Sequence, residues 1–330
     1  MSSSFDVAAV GNAIVDVLAP ASDEFLSGEN LAKGAMMLID AERASSLYTC
    51  MAAGVEASGG SAGNTVAGVA SLGGRAAYVG KVADDTLGEV FRHDITAIGV
   101  HFRPTPSKGP EGTGRCLVNV TEDGQRTMCT YLGAANALTP EDVDPQLIEA
   151  AEIIYLEGYL FDPPAAREAF AKAAGIGRKA GRRVALTLSD AFVVERHRDA
   201  LLDFIGANAD IVFANEAEAM ALFQTQDFDE ALKALSAKVA TVVVTRGAQG
   251  SVIVTGGATT AVEAAPVGKV VDTTGAGDQY AAGVLYGLAR HLDPRTCGRL
   301  GALAAVEVIA HYGPRPQTPL KALAEAAGLI

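Results

Sequence analysis

Short apolar runs alternate with longer stretches of helical periodicity along most of this chain, and that alternation is what most constrains its fold. Phe5–Gly11, Ala76–Gly80, Ile153–Leu156, Arg183–Leu188, Asp210–Ala214 and Thr241–Thr245 read as buried strands. Ser61–Leu72, Thr86–Ile98, Pro164–Ala180, Val194–Ile205, Glu216–Phe223 and Phe228–Ala237 read as the helices between them. Within Thr86–Ile98, for example, Leu87, Val90, Phe91, Ile95 and Ile98 fall at helical spacing. Parallel neighbours need a crossover, and a helix is the usual one. The pattern therefore predicts an α/β fold with helices on both faces of a mainly parallel sheet, a three-layer α/β/α arrangement. Residues Ala276–Ala327 read as nearly all helical.

Two segments break the rhythm. Asp16–Asp40 and Gly112–Tyr131 carry short alternating runs and turn residues, and Glu122-Asp123-Gly124 marks the second as a hairpin. Neither shows a crossover helix. They are read as a small β-sheet lid, built from about 16–40 and 112–131, inserted into a single unit spanning 1–330. No linker, low-complexity tract or internal repeat argues for independent domains.

The chain has 330 residues, 49% hydrophobic and 20% charged, which is enough apolar surface for a large core. Its net charge of -13 argues against nucleic acid as a partner, since phosphate backbones are bound chiefly by clustered Lys and Arg. An anionic small molecule remains compatible if backbone N–H groups and helix N-termini meet it locally. The four cysteines, Cys50, Cys116, Cys129 and Cys297, lack the spacing of a zinc site or redox pair. Residues 1–20 have no basic leader, and Asp6 and Asp16 interrupt their apolar stretch, so they read as a first strand. No apolar run reaches bilayer length. A soluble cytoplasmic protein with no membrane partner is expected.

Chemistry concentrates in Asp272-Thr273-Thr274-Gly275-Ala276-Gly277-Asp278, where a helix begins. Gly275 and Gly277 let backbone N–H groups approach a phosphate, and the helix N-terminus adds partial positive charge. Gly275, Ala276 and Gly277 would then form an anion hole, with Asp278 placed to take a proton from an attacking hydroxyl. A second string, Gly59-Gly60-Ser61-Ala62-Gly63-Asn64, opens an early helix; Gly80-Lys81-Val82-Ala83-Asp84-Asp85 follows the next strand. Asn64 offers a donor and an acceptor. Asp16, between apolar neighbours, is costly to bury without a partner, and a bidentate contact to a diol would explain it. Two alternatives remain beside these readings: a Gly-rich turn with a first-turn acid, and a solvated acid in a lid turn.

Together these strings resemble the two signatures of the ribokinase (PfkB-type) family, and the resemblance covers nearly the whole chain. It implies a ribokinase-like fold and an ATP-dependent phosphotransferase acting on an alcohol group. It makes Asp278 the catalytic base. It places Asn12, Asp16, Gly59, Gly60, Ser61 and Asn64 on the hydroxyls of the acceptor. Asn215-Glu216-Ala217-Glu218 resembles the family's Asn-x-x-Glu motif, with Asn215 on phosphate and Glu218 on Mg²⁺ through water; on its own it reads as a helix cap. Thr245-Arg246-Gly247-Ala248-Gln249-Gly250 resembles the family's ATP loop and assigns Thr245, Gly247 and Gly250 to the nucleotide; on its own it reads equally as a hairpin turn. Arg126, in the lid hairpin, is either a cover for phosphates or a solvated residue. The resemblance also allows a monovalent cation near Asp272, though no residue demands one.

Three strings are similar to the adenosine kinase branch of that family: Leu132-Gly133-Ala134-Ala135-Asn136, Tyr155-Leu156-Glu157-Gly158-Tyr159 and Leu188-Ser189-Asp190-Ala191-Phe192. They imply a purine nucleoside as acceptor, adenosine first, with Asn136 at its site and Tyr159 and Phe192 sandwiching the base. Met36 and Met37 would either wall the base or pack the lid. The chain departs from that branch in having Tyr159 for Phe and Asp190-Ala191 for Ala-Pro. A sugar kinase of the ribokinase or fructokinase kind is the alternative, and a nucleotide-binding sensor with weak catalysis a second. Either a monomer or a homodimer is compatible. A P-loop is excluded because Gly268-Lys269 is followed by Val270, and the first strand lacks a dinucleotide fingerprint. The five histidines are scattered.

Overall fold

The computed structural model describes residues 4–330. Its strands are β1 Phe5–Val10, β2 Ile14–Pro20, β3 Met36–Leu38, β4 Val55–Ser58, β5 Ala76–Val79, β6 Thr113–Val120, β7 Arg126–Gly133, β8 Ala151–Glu157, β9 Arg183–Thr187, β10 Ile211–Asn215, β11 Thr241–Thr245, β12 Ser251–Thr255 and β13 Ala258–Val262. Its α-helices are α1 Asp23–Gly28, α2 Ala41–Cys50, α3 Ser61–Ser71, α4 Thr86–Ala97, α5 Pro145–Glu149, α6 Pro164–Lys179, α7 Ala191–Asn208, α8 Glu216–Phe223, α9 Phe228–Ser236, α10 Ala276–Ala289, α11 Pro294–Ile309 and α12 Leu320–Ala326.

The large sheet runs β13-β12-β11-β10-β9-β8-β1-β5. From β5 to β11 every pairing is parallel; β12 and β13 append an antiparallel hairpin. Alternation along the strands feeds two cores. Ala8 and Val10 of β1 and Ile154 and Leu156 of β8 face Phe170, Leu201, Leu222 and Leu235 of α6–α9. Val7, Ala9, Ile153 and Tyr155 face Val66, Phe91, Val284 and Ala302 of α3, α4, α10 and α11. This is the expected three-layer α/β/α fold. Each fully buried Val or Leu contributes about 1.5–3 kcal/mol of transfer free energy, so both faces are committed to their helices.

The small sheet runs β3-β7-β6-β2-β4 and is larger than the sequence suggested. It begins at Ile14, recruits β4, and the segment read as helix-free contains α1, capped by Ser22 accepting from Phe25 N. Few apolar residues fall in so short a helix, so its period is hard to read. The β12–β13 hairpin was likewise not anticipated. The C-terminal region divides into three helices, with irregular backbone at 310–319.

The two sheets are joined by short connections. Only Gly11-Asn12-Ala13 separates β1 from β2, and only Gly59-Gly60 separates β4 from α3. In the early string Asp85 proves to be a structural cap: it accepts from Gly88 N at the start of α4 and from Thr113 N and Oγ1 on β6. No helix among the described residues is long and apolar enough to cross a membrane.

Candidate active site

A cavity of about 850 Å³ opens beyond the C-terminal ends of the parallel strands, between the large sheet and the small one. Such crevices are the usual ligand sites of open α/β sheets. Asn12, Asp16, Gly60, Ser61, Asn64, Gly275, Ala276, Gly277 and Asp278 line one part of it, and Asn215, Glu218, Thr245, Gly247 and Gly250 another.

Helix α10 aims its N-terminus into this space. Its cap, Gly275, has φ 74°, and Pro314 leaves no room for a Cβ there. Gly277, by contrast, faces open space within 4 Å of where its Cβ would be. Asp278 lies in the first turn. Its Oδ1 accepts from Ser61 Oγ at 2.6 Å and its Oδ2 from Asn64 Nδ2 at 3.0 Å. Burial raises its pKa; these two hydrogen bonds, Arg126 and Arg315 pull the other way. Both carboxylate oxygens are thus aimed by α3, which packs directly against α10. Asp272 is fully buried and serves the turn itself, accepting from Thr274 N and Oγ1 and from Gly313 N.

At the adjoining end, Asp16 projects from β2 with 5% exposure, its carboxyl packed on Gly59, where a side chain would not fit. Burial pushes its pKa up to about 7, against the pull of Arg315. Gly60 has φ 81° and caps α3. Asn12 is held by Glu157, which accepts from its backbone N and from Nδ2 at 2.8 Å, and also from Ala62 N at 2.8 Å. Asn12 Oδ1 and Asn64 Oδ1 are buried without a protein partner, an arrangement that leaves two acceptors free for ligand hydroxyls. Glu157 was quoted in the sequence but given no role. It ends β8, is 1% exposed, and burial pushes its pKa up to about 7. The available signal was an acid closing an otherwise apolar strand.

At the other end, Asn215 caps α8 and forms a capping box with Glu218: Glu218 N donates to Asn215 Oδ1, while Asn215 N and Nδ2 donate to the two carboxylate oxygens of Glu218. Burial pushes the Glu218 pKa up to about 7. With both oxygens engaged, Glu218 would meet a divalent cation through water, which Mg²⁺ retains. No group of three or more His, Cys, Asp or Glu among the described residues forms a metal cage. The residues therefore fit a metal that arrives with a ligand's phosphates. Thr245 ends β11, and Gly247–Gln249 makes a 3-10 turn before the antiparallel β12, so this loop is a hairpin turn facing the cavity. Between the two ends lies Ser189, at φ 70°, its Oγ buried without a partner.

Tyr159 and Arg126 line the cavity. Met36 lines it too, whereas Met37 packs beneath the small sheet. Phe192 and Asn136 are not brought there. Asp190 caps α7 by accepting from Phe192 N, and the Phe192 side chain is 57% exposed, off the cavity lining. Asn136 is exposed in the 3-10 turn after β7. The expected two-ring sandwich is therefore not formed in this structure.

The sequence profile described as pfkB family carbohydrate kinase matches residues 29–321. Adenosine kinase of Saccharomyces cerevisiae is 28% identical over 327 residues, covering 92% of this chain and 95% of that protein. Fructokinase of Klebsiella pneumoniae is 28% identical, covering 74% of this chain and 86% of that protein. Among solved structures, adenosine kinase from Sinorhizobium meliloti superposes with a TM-score of 0.95 at 52% identity, covering 98% of this chain and 99% of that one. A probable sugar kinase from Rhizobium etli superposes with a TM-score of 0.96 at 51% identity, covering 99% and 100%.

Proposed function

Because this chain belongs to the pfkB family of carbohydrate kinases, phosphotransferases with an alcohol acceptor, we propose that its acceptor is the 5′-hydroxyl of a purine nucleoside, adenosine first. The observation that carries this reading is the wall the small sheet presents to the cavity. Ile14, Met36, Leu38, Cys116, Val118 and Met128 face the space above Asp16. A diol binds well to Asp16 and Asn12, but a free sugar would leave this apolar wall against water. A nucleoside fills both parts at once, its ribose on the polar floor and its base on the wall. The relatives named adenosine kinase support the same reading.

In this reading Asp278 takes the proton of the 5′-hydroxyl, and Ser61 and Asn64 hold its carboxylate in line. The amides opening α10 at Gly275, Ala276 and Gly277 stabilise charge on the transferred phosphoryl group, and Arg126 covers it from the small sheet. Asn215, Thr245, Gly247 and Gly250 hold ATP. When bound, Mg²⁺ supplies charge neutralisation at the phosphates, and Glu218 would hold it through water. The small sheet acts as a lid whose closure excludes water as a rival acceptor. The reaction would return a free nucleoside to the nucleotide pool.

The fructokinase relative favours the second reading, a sugar acceptor on the same polar floor. A panel of acceptors separates them: ADP release from Mg-ATP with adenosine, guanosine, inosine, ribose and fructose. A purine nucleoside is expected to give the highest kcat/KM. Turnover of ribose or fructose with no nucleoside binding overturns the proposal.

A further inference from the structure

The acceptor end holds more negative than positive charge, and one of its cations lies behind it. Asp16 comes from β2, Glu157 from β8 and Asp278 from α10. Arg126 faces Asp278 from the small sheet; Arg315 acts on both Asp16 and Asp278 from the 310–319 segment. Arg315 does not line the cavity. Its Nη2 donates to Ser58 O at 2.5 Å and to Ser58 Oγ at 3.0 Å, and the same nitrogen lies 3.6 Å from where a Cβ on Gly63 would be. Its Nε and Nη1 are buried with no hydrogen-bond partner in the protein.

The position of this guanidinium is built, since two hydrogen bonds hold the turn that carries it and a third links one of its anchors to α3. Gly313 N donates to Asp272 Oδ2, and Gln279 Nε2 donates to Pro314 O and, from the same atom, to Asn64 O. The turn is thus tied to the loop before α10, to α10 itself and, through Gln279, to α3, the three pieces that place Asp278. Ser58, the last residue of β4, is held in turn by Asp94 of α4, which accepts from its N at 2.8 Å and its Oγ at 2.5 Å.

We propose that Arg315 is a positioning residue for the reaction, an interior cation fixed behind the acceptor end that favours the charged forms of Asp16 and Asp278 while substrate is bound. The proposal rests on the reading of Asp278 as base. The groups facing this guanidinium are Asp16, Asp94, Tyr78 and Asp278; Glu157 acts on Tyr78, and Asp272 and Asp278 act on Asp16. Removing a positive charge from among acids makes each harder to ionise. Asp94 stands on α4, off the cavity, on the outer side of the same guanidinium, and neutralising it removes one negative charge from the group, which makes the inner acids easier to ionise.

The test is the pH profile of kcat/KM with adenosine and Mg-ATP, alongside thermal melting. Arg315→Gln is expected to move the acid limb upward by about one pH unit, the lower end of what a near opposite charge supplies, so that turnover well below the limb falls about 10-fold. Arg315→Lys restores the wild-type limb, and Asp94→Asn moves it the other way. A folded Arg315→Gln with an unmoved limb overturns the proposal. So does a limb displaced equally by Lys and Gln, which would make the residue a cross-link and not a charge. Should the Gln variant fail to fold, Arg315→Met, neutral and of similar length, is measured in its place, and an unmoved limb in that variant overturns the proposal. Failure of the base reading shows separately, as near-normal kcat in Asp278→Asn.

Discussion

Asp16→Asn separates what Asp16 does for stability from what it does for binding. Burial holds its pKa at about 7, against 3.8 for the ordinary side chain. The folded state therefore binds this proton more tightly than the unfolded chain does. That preference stabilises the protein fully below pH 4 and is lost as pH rises to about 7. With those two values, wild type loses about 2 kcal/mol from this group by pH 5 and about 4 kcal/mol by pH 8, a difference of roughly 2–3 kcal/mol across the interval. Asn has the same shape and no such proton. The attraction of Arg315 is already contained in the folded-state pKa, so the slope carries the information. Denaturant melts of the ligand-free protein at pH 5 and pH 8 should show the variant gaining roughly 2–3 kcal/mol on wild type between them. The same variant should bind adenosine more weakly by about 10-fold or more, having lost a charged acceptor for the ribose diol. Parallel stability curves would refute the argument, because they would mean that Asp16 is ionised in water at no cost and belongs to the surface.

Asp278→Asn should lower kcat by about 100-fold or more while adenosine still binds, read from steady-state rates and calorimetry. Gly277→Val should abolish turnover with little change in melting temperature, since its side chain enters open cavity. Gly275→Ala should instead lower the melting temperature, because a left-handed residue against Pro314 has no space for a methyl group. Phe192→Ala should leave adenosine affinity within about twofold, as expected of an exposed ring making little contact; a loss of tenfold or more by titration would show that the ring turns inward on binding.

Much of this was legible because α/β strands write their burial into the sequence. β1, β8, β9, β10 and β11 are apolar on both faces, and their ends were readable to within a few residues. The glycine strings were legible too, since Gly60 and Gly275 stand where left-handed backbone and close neighbours exclude any other residue. What escaped was decided by distant partners. Nothing local marks Glu157 as the clamp on Asn12 across 145 positions of sequence, or Arg315 as a cation behind Asp16. Phe192 stands in the first turn of α7, exposed and off the cavity lining, and nothing in its local sequence marks it so. The small sheet was underestimated because β4, at its edge, has exposed Val55 and Glu56 and shows no clear alternation.

The three-residue connection between β1 and β2 bears on the order in which substrates bind. Asn12 is anchored to the large sheet through Glu157, while Asp16, four positions on, rides the small one. An acceptor whose adjacent hydroxyls engage both becomes a strut across the joint and fixes its angle. ATP, in the proposed placement at Asn215 and Thr245, reaches the small sheet only through Arg126 and is not anchored to both sheets beside this connection. Acceptor should therefore bind first in a compulsory sequence, and the enzyme should idle when given ATP alone, with water unable to imitate a strut that spans two bodies.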